Sequence, residues 1–280
     1  MNTLDTASPR VSFVMGAYNC APTLDAALQS ILDQTYTNWD LVVCDDASTD
    51  GTYEKLLAWQ ARYPDQMTVL RNAENSKLSF TLNRCLEVAS GDLIARMDGD
   101  DLSVPERLEA QVAFLDDHPE VDLVGTAMRR FSEAGDADVV CPPAEPDRWS
   151  LRYGVPFCHA TILARPHVFA RTGGYSVLPR AERNEDLDLW FRFYSVGLTG
   201  RNLQEPLYRV REDISAIRRR TWRNRLNVFR TTVHGFRLLR YPWHWYLRPV
   251  LALGKALVPA RAAVGFRSFQ RLRAERRDAA

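Results

Sequence analysis

Short apolar runs alternate with amphipathic segments through the first 125 residues of the chain. Runs of mostly apolar residues, typical of buried strands, occupy 11–15, 41–44, 67–70, 92–97 and 121–125. Between them, apolar residues recur at helical spacing, which predicts helices over 22–34, 52–63, 79–89 and 105–117. This alternation predicts an α/β fold: a mostly parallel central sheet with helices on both faces.

Polar loops follow the first, second and fourth predicted strands. They contain Ala17-Tyr18-Asn19, Asp45-Asp46 and Asp98-Gly99-Asp100-Asp101. Beyond residue 125 the pattern is less regular, with a strand-like segment at 160–164 and a helix predicted at 185–196. Ligands of open α/β sheets bind beyond the carboxyl ends of the strands, so we expect the three loops to form one site.

Charge is unevenly divided along the chain, although the 280 residues together carry a formal net charge of +1. Residues 1–215 contain 20 Lys and Arg against 33 Asp and Glu, whereas residues 216–280 contain 16 against 2. This asymmetry predicts an α/β domain over 1–215 and a basic, aromatic-rich helical region over 216–280, with the boundary near 214–218.

Other features limit the class of protein. The five cysteines form no C-x-x-C pair, which argues against a disulfide framework or a zinc site and suits a reducing compartment. The first ten residues show no secretory pattern, and no run of 18 apolar residues occurs. We therefore expect a cytoplasmic protein, either free or bound to a membrane surface.

The loop after the fourth strand carries two carboxylates two residues apart, Asp98 and Asp100, with Asp101 adjacent. Oxygen ligands on a short loop suit Mg²⁺ or Mn²⁺, which bind one or two carboxylates together with substrate phosphates. Asp and Gly are also common in turns that bind nothing. The position at the end of an apolar strand favours the metal site.

The acidic pair after the second strand indicates a nucleotide contact. Asp45 or Asp46 can accept a hydrogen bond from a base or a ribose hydroxyl, although such a loop can also simply cap the next helix. Neither a G-x-G-x-x-G nor a G-x-x-x-x-G-K-[ST] loop is present, so phosphates need the metal and basic side chains. Arg96 is a candidate for that contact, and a strand-face salt bridge is its alternative.

A third acidic cluster, Glu185-Asp186-Leu187-Asp188, opens the helix predicted at 185–196. The helix dipole alone favours acidic residues there, but a carboxylate at a cleft edge can also act as a general base. His159 is a candidate contact for the acceptor or a phosphate, although a lone histidine is more often structural.

Taken together, these segments resemble the family 2 glycosyltransferases of the GT-A fold, from Val11 to about residue 215. Val11-Ser-Phe-Val-Met-Gly-Ala-Tyr-Asn19 is similar to the family's first strand ending in Y-N, and LVVCDDASTDGT at 41–52 to its V-V-D-D-x-S-T-D-G-T. Asp98-Gly-Asp-Asp101 resembles the D-x-D-D metal loop, and NEDLDLW at 184–190 the E-D segment.

The resemblance implies an inverting transfer from a nucleotide sugar, with a family preference for UDP. Asp100 would coordinate Mn²⁺ or Mg²⁺, and Asp98 would contact the metal, the ribose or the sugar. Asp186 would deprotonate the acceptor hydroxyl, with Glu185 supporting it. The residues implied at the nucleotide are Ala17, Tyr18, Asn19, Asp45, Asp46, Asn83, Arg96 and Asp98. Processive synthases of the family carry a Q-x-x-R-W motif and several membrane spans. The segment RRRTW at 218–222 does not match that motif, and no apolar run is long enough for a span, which favours an enzyme that adds a single sugar.

The region 216–280 mixes arginine with aromatic and aliphatic residues. This composition is typical of a segment that lies on an anionic membrane leaflet. The alternatives are packing on the acidic first part of the chain and, least favoured, binding of nucleic acid. With the resemblance, membrane docking predicts a peripheral protein on the inner face of the cell membrane. It also predicts a glycan or lipid-linked glycan acceptor in surface-polysaccharide synthesis.

Two other function classes compete with this interpretation. A sugar nucleotidyltransferase usually has a glycine-rich, basic phosphate loop near the first strand, and Gly16-Ala-Tyr-Asn19 has neither a second glycine nor a basic residue. A binding module that has lost turnover is the other class. The intact Asp98, Asp100 and Asp186 argue against it.

Overall fold

The computed structural model describes residues 8–132, 135–212 and 221–255 of the chain. Within these ranges the strands are Val11–Ala17 (β1), Trp39–Asp45 (β2), Met67–Arg71 (β3), Leu93–Asp98 (β4), Leu102–Ser103 (β5), Leu123–Ser132 (β6), Gly135–Val140 (β7), Leu163–Ala164 (β8) and Gly200–Arg211 (β9). The α-helices are Ala21–Leu32 (α1), Thr52–Arg62 (α2), Lys77–Val88 (α3), Arg107–Asp117 (α4), His167–Thr172 (α5), Glu185–Ser195 (α6), Trp222–Leu238 (α7) and Leu247–Lys255 (α8).

All of these strands belong to one mixed sheet of order β3-β2-β1-β4-β8-β6-β9-β5, with β7 also paired to β6. The first four strands are parallel to one another, as the βα alternation predicted. The short β8 enters antiparallel between β4 and β6, and β6 and β9 are parallel again. The irregular pattern beyond residue 125 corresponds to this mixed part, where the regular alternation of one strand with one helix ends: β7 follows β6 directly, and two α-helices lie between β8 and β9.

Helices cover both faces of the sheet, as predicted. Alternate residues of β1 point to opposite faces: Phe13 and Met15 pack into the core shared with α1, α2 and α4, and Val14 packs into the core shared with α3, α5, α6 and α7. A strand buried on both faces needs apolar residues at every position, which explains the continuous apolar runs in the sequence.

The strand order brings the three predicted polar loops to one edge of the sheet. β1 lies between β2 and β4, with Ala17 opposite Asp45 and Gly16 opposite Asp98. The loops that leave these strands therefore begin at the same level on neighbouring strands.

The first part of the basic region packs on the α/β domain. Gly235 of α7 lies against the ring of Phe191 in α6, and Thr231 Oγ1 donates a 2.8 Å hydrogen bond to the carbonyl of Arg180. For α7, this corresponds to the alternative in which the basic region packs on the first part of the chain. The expected domain boundary near 214–218 lies outside the described residues and stays a prediction. No helix in the described ranges has the length and hydrophobicity needed to cross a membrane.

Replacing Gly235 by alanine should destabilise the fold by about 2 kcal/mol, because a Cβ there would overlap the buried Phe191 ring. Helix propensity alone favours alanine over glycine by about 1 kcal/mol, so the predicted sign is opposite to the local preference. Thermal unfolding should show a Tm lowered by roughly 4–8 °C. Gly154→Ala is the control, since a Cβ at Gly154 meets no atom within 4 Å. An unchanged or raised Tm for Gly235→Ala would contradict this packing.

Candidate functional site

Three carboxylates gather at the carboxyl end of β4. One oxygen from each of Asp98, Asp100 and Asp101 lies within 4.8 Å of the others. The end of β9 holds this loop: Arg211 N donates to Asp101 Oδ1 at 2.8 Å, and Arg211 Nε donates to the Asp100 carbonyl at 3.0 Å. The sequence indicated Asp98 and Asp100, and the structure adds Asp101 to the group.

The acidic group fits a hard divalent cation. Burial, followed by the charges of Asp98 and Asp100, raises the pKa of Asp101 to about 8, and burial also raises the pKa of Asp100. The part of each shift that comes from neighbouring carboxylate charge is the part that a bound cation would offset. All the ligand atoms are oxygens, the donor set that Mg²⁺ and Mn²⁺ prefer.

Arg96, in the middle of β4, is the cation that these carboxylates share. Its side chain is only 3% exposed, and its Nη1 forms an ion pair with Asp98 Oδ2. The same charge opposes the burial-driven rise in the pKa values of Asp100, Glu185 and Asp186. Arg96 is therefore the electrostatic link between the loop after β4 and the start of α6.

The start of α6 supplies the second acidic group. Burial raises the pKa of Glu185 to about 7 and also raises the pKa of Asp186 above its ordinary value. Asp186 Oδ1 accepts a 2.7 Å hydrogen bond from Leu187 N, which orients the carboxylate. A carboxylate with a raised pKa is a stronger base than an exposed one.

A cavity of about 900 Å³, here called the central cavity, is lined by Glu185 from the second acidic group. Asp98, Asp100 and Asp186 are not among its lining residues. Of the residues implied by the resemblance, Ala17, Tyr18, Asp46 and Glu185 line it. Segments that the sequence did not indicate complete the wall: 75–79 at the start of α3, 176–179 and 182–183 before α6, and Arg223 of α7.

Asp46 shapes the wall of the central cavity by holding the start of α3. Its Oδ1 accepts from Asn72 Nδ2 and Ser76 N, each at 2.7 Å, and its Oδ2 accepts from Lys77 N at 2.9 Å. A carboxylate has about four acceptor positions, so one is left for a ligand.

Asp45, expected to face the same crevice, is instead fully buried. Its Oδ2 accepts from Ser48 N at 3.1 Å and pairs with Arg71 Nε at 3.3 Å. Neighbouring residues at a strand end point to opposite sides of the sheet, so Asp45 and Asp46 do not both reach the cavity.

Asn19, Asn83 and His159, also expected near the substrates, bind protein groups outside the lining of the central cavity. Asn19 Oδ1 accepts from Thr49 N at 2.9 Å, and the Asn83 amide exchanges two 2.8 Å hydrogen bonds with the backbone of Tyr175. His159 Nε2 lies 2.9 Å from Tyr175 Oη. Burial, and then the Arg96 charge, lowers the pKa of His159 well below its usual range, so it is a neutral support rather than a cation for phosphate.

Backbone strain is concentrated around this site. Five non-glycine residues in the described ranges have positive φ, and Asn19 (49°), Ala47 (57°), Lys77 (72°) and Arg183 (61°) belong to loops that line or adjoin the central cavity. Such conformations cost of order 1 kcal/mol or more each and are enriched at functional sites. No glycine marks these positions, so the sequence did not reveal them.

Two buried side chains beneath the acidic loop were also missed. Tyr208 Oη in β9 accepts from Asp98 N at 3.1 Å, and Arg107 lies over the Tyr208 ring while donating to the Arg96 carbonyl at 2.9 Å. Tyr208 is 110 residues from Asp98. No local pattern could have joined them.

Comparison with known proteins agrees with this geometry. The sequence profile described as Glycosyl transferase family 2 matches residues 12–158, and EpsE of Bacillus subtilis (strain 168), whose name describes a glycosyltransferase, is 43% identical over 91% of each chain. The chain belongs to glycosyltransferase family 2. As a family 2 glycosyltransferase it is a transferase enzyme, which confirms the resemblance drawn from the four motifs.

Two solved structures and a further curated protein are also similar to this family 2 glycosyltransferase. The mannosyltransferase PcManGT from Pyrobaculum calidifontis, in complex with GDP-Man and Mn²⁺, has a TM-score of 0.65 at 22% identity, over 95% of this chain and 81% of that one. S. aureus TarS with UDP-GlcNAc has a TM-score of 0.66 at 18% identity, over 88% and 71%. The Escherichia coli UDP-Glc:alpha-D-GlcNAc-diphosphoundecaprenol beta-1,3-glucosyltransferase WfaP is 28% identical over 71% of this chain and 77% of its own. The structural likeness confirms the GT-A fold.

The raised pKa of Glu185 predicts a specific pH dependence of stability. The pKa is about 7 in the folded chain against an ordinary 4.5, so the folded state holds this proton more tightly and loses stability as the pH rises between these values. Glu185→Gln should therefore match the wild type near pH 4 and exceed it by about 1–3 kcal/mol at pH 8, measured by urea unfolding across the pH range. The exposed Glu87→Gln is the control. Parallel stability profiles for wild type and Glu185→Gln would refute the assignment.

Proposed function

We propose that this chain is an inverting, divalent-metal-dependent glycosyltransferase that moves a sugar from a UDP-sugar to a hydroxyl of a lipid-linked glycan. The observation that carries the proposal is the shared electrostatic partner, Arg96, of the acidic groups after β4 and at the start of α6. The names of two relatives support the donor and the acceptor, since WfaP is named for UDP-Glc and a diphosphoundecaprenol acceptor and TarS was solved with UDP-GlcNAc. Synthesis of surface polysaccharide is the corresponding process.

The central cavity is the site that we assign to the nucleotide. Tyr18 is 51% exposed on its wall and offers an aromatic face on which a base can stack. The remaining acceptor position of Asp46 suits an N–H of the base or a ribose hydroxyl. The hydrogen bonds that Asp46 accepts from Ser76 N and Lys77 N keep this wall in place before the ligand binds.

Asp98 and Asp100 are the residues that would hold Mn²⁺ or Mg²⁺. The close grouping of their oxygens and the raised pKa of Asp100 fit this role. When bound, such an ion offsets the negative charge that develops on the departing diphosphate. Arg96 orients Asp98 for it, and Arg211 fixes the turn through the Asp100 carbonyl.

Asp186 is the group that we assign as the general base. Its carboxylate takes the proton from the acceptor hydroxyl, which then attacks the anomeric carbon on the face opposite the leaving nucleoside diphosphate and inverts its configuration. Partial burial strengthens Asp186 as a base, and its hydrogen bond from Leu187 N fixes its orientation. Glu185 lines the central cavity next to it.

Substitution of Asp186 by asparagine should lower sugar transfer by about 10²–10⁴-fold while leaving the affinity for UDP unchanged, because only proton removal is lost. Transfer of radiolabelled sugar and calorimetric UDP binding with Mn²⁺ measure the two effects. Wild-type transfer by Asp186→Asn would overturn the base assignment.

In the same assays, one further variant tests the metal role separately from the base role, and a variant of an exposed aspartate is its control. Asp100→Ala should weaken Mn²⁺-dependent UDP binding at least ~10-fold, and the exposed Asp65→Asn should change neither quantity.

Pyrophosphate release from a nucleoside triphosphate and a sugar phosphate would instead indicate a nucleotidyltransferase. Donor binding without transfer or donor hydrolysis would indicate an inactive binding module.

Peripheral docking on an anionic membrane is also part of the proposal. The turn before α8 and α8 itself expose apolar side chains, among them Trp243 (80%), Leu247 (57%) and Leu251 (62%). Arg248 lies among them, and apolar residues with arginine suit a leaflet surface.

The full chain should co-sediment with vesicles that contain phosphatidylglycerol and should be released by high salt. Trp243→Ser with Leu247→Ser should weaken this binding about tenfold, because two exposed apolar side chains lose their contact with lipid. Phe80→Ser is the control, since Phe80 is 43% exposed on α3. Absence of vesicle binding by the intact protein would remove this part of the proposal.

A further inference from the structure

A second cavity, of about 750 Å³, lies next to the central cavity and has a different character. We call it the arginine groove; it lies between the segment 151–155, α7 and α8. Arg183 lines both cavities, and Leu187, the residue after Asp186, lines the arginine groove. The groove therefore adjoins the first turn of α6, which carries the assigned base.

Charge in the arginine groove is of one sign. Its lining contains Arg152, Arg183, Arg225 and Arg248 and no Asp or Glu. The central cavity is instead of mixed charge, with Asp46, Glu182 and Glu185 alongside Lys77, Arg183 and Arg223. Arg183 and Arg225 are exposed, and neither makes an ion pair within the described ranges. Arg248 Nη1 donates to the Arg152 carbonyl at 2.9 Å, which holds α8 against the segment 151–155. The groove is thus suited to an anion, and among the residues that the structure describes no carboxylate competes for Arg183 or Arg225.

The remaining lining of the arginine groove is mostly apolar. Val228 and Phe229 of α7, Leu253 of α8 and Tyr153 are among its lining residues. Val228 is 42% and Tyr153 73% exposed, so the wall presents apolar surface that the fold leaves uncovered. Concave apolar surface with a few fixed polar groups is typical of a ligand site.

We propose that the arginine groove binds the diphosphate and the first isoprene units of a polyisoprenyl diphosphate-linked glycan acceptor. The inference rests on the proposed function, whose acceptor it specifies. A diphosphate suits planar guanidinium groups, which bind phosphate oxygens in pairs, and an isoprenoid chain suits the apolar wall. A polynucleotide lacks the apolar chain, and a flat leaflet does not fill a concave groove.

The position of the groove orients such an acceptor. With the diphosphate at Arg183 and Arg225, the sugar attached to it extends towards Leu187 and the adjacent Asp186, at the border with the central cavity. The isoprenoid chain runs along α7 and α8, whose exposed apolar residues Val250 and Leu251 continue the surface. One ligand therefore satisfies the charge, the apolar wall and the position of the base.

The test is calorimetric binding of farnesyl diphosphate to the full chain in EDTA, which withholds the metal that the donor site needs for a diphosphate, compared with inorganic pyrophosphate and farnesol. Farnesyl diphosphate should bind at least about tenfold more tightly than either, since only it engages both features of the groove. Arg225→Ala and Val228→Asp should each weaken it about tenfold. Arg230→Ala, an exposed arginine of α7 outside the groove, is the matched control.

Each outcome bears on one of the two proposals. If farnesyl diphosphate binds no better than pyrophosphate, if Arg225→Ala behaves like Arg230→Ala, or if phosphatidylglycerol vesicles compete equally, the groove is not an isoprenyl diphosphate site. Binding of UDP with Mn²⁺ and slow hydrolysis of the UDP-sugar report on the donor site alone, and they should be unchanged in Arg225→Ala. Their absence from the wild type would refute the proposed function while leaving the groove result standing.

Discussion

The site depends on the electrostatic interactions of the buried Arg96 guanidinium with the acidic residues around it. A cation taken out of water is costly unless carboxylates and hydrogen bonds surround it, and here Asp98 pairs with it at the end of the same strand. Its charge also allows two further acidic groups to approach, because each carboxylate near it is less costly to ionise. Arg107 supports the arrangement from below through the Arg96 carbonyl. Removal of Arg96 would leave like charges facing one another.

The helix that carries the base depends on the basic region of the chain. Asp188 of α6 is buried between Arg180 and Arg192, at 3.1 and 2.8 Å, and the Arg180 carbonyl is held in turn by Thr231 of α7. Gly235 allows α7 to lie directly on Phe191. The basic region thus supports α6 and forms one wall of the arginine groove, in addition to any role at a membrane surface.

Much of the fold could be predicted because local patterns carry it. Continuous apolar runs identified β1, β2, β3 and β4, and helical spacing identified α1 to α4 within two or three residues of their observed ends. The carboxyl-end rule then placed Tyr18, Asp46 and Asp98 at one edge before any contact was known. The strand-like segment at 160–164 contains β8, but the antiparallel entry of β8 between β4 and β6 could not be predicted, since it depends on strands far away in the sequence.

The sequence by itself determined the elements, the edge of the sheet where chemistry collects and the acidic residue types there, because these follow from periodicity and from the ends of parallel strands. Only the tertiary structure decided which side chains face the ligand. Asp45 turns away while Asp46 faces the central cavity, His159 is held neutral beneath Tyr175, and Asp98 rests on Tyr208 of a distant strand. The arginine groove likewise exists only because α7 and α8 pack beside residues far from them in the chain. The orientation of these side chains and their long-range contacts depend on the packing of segments that are far apart in the sequence, and no local pattern encodes that packing.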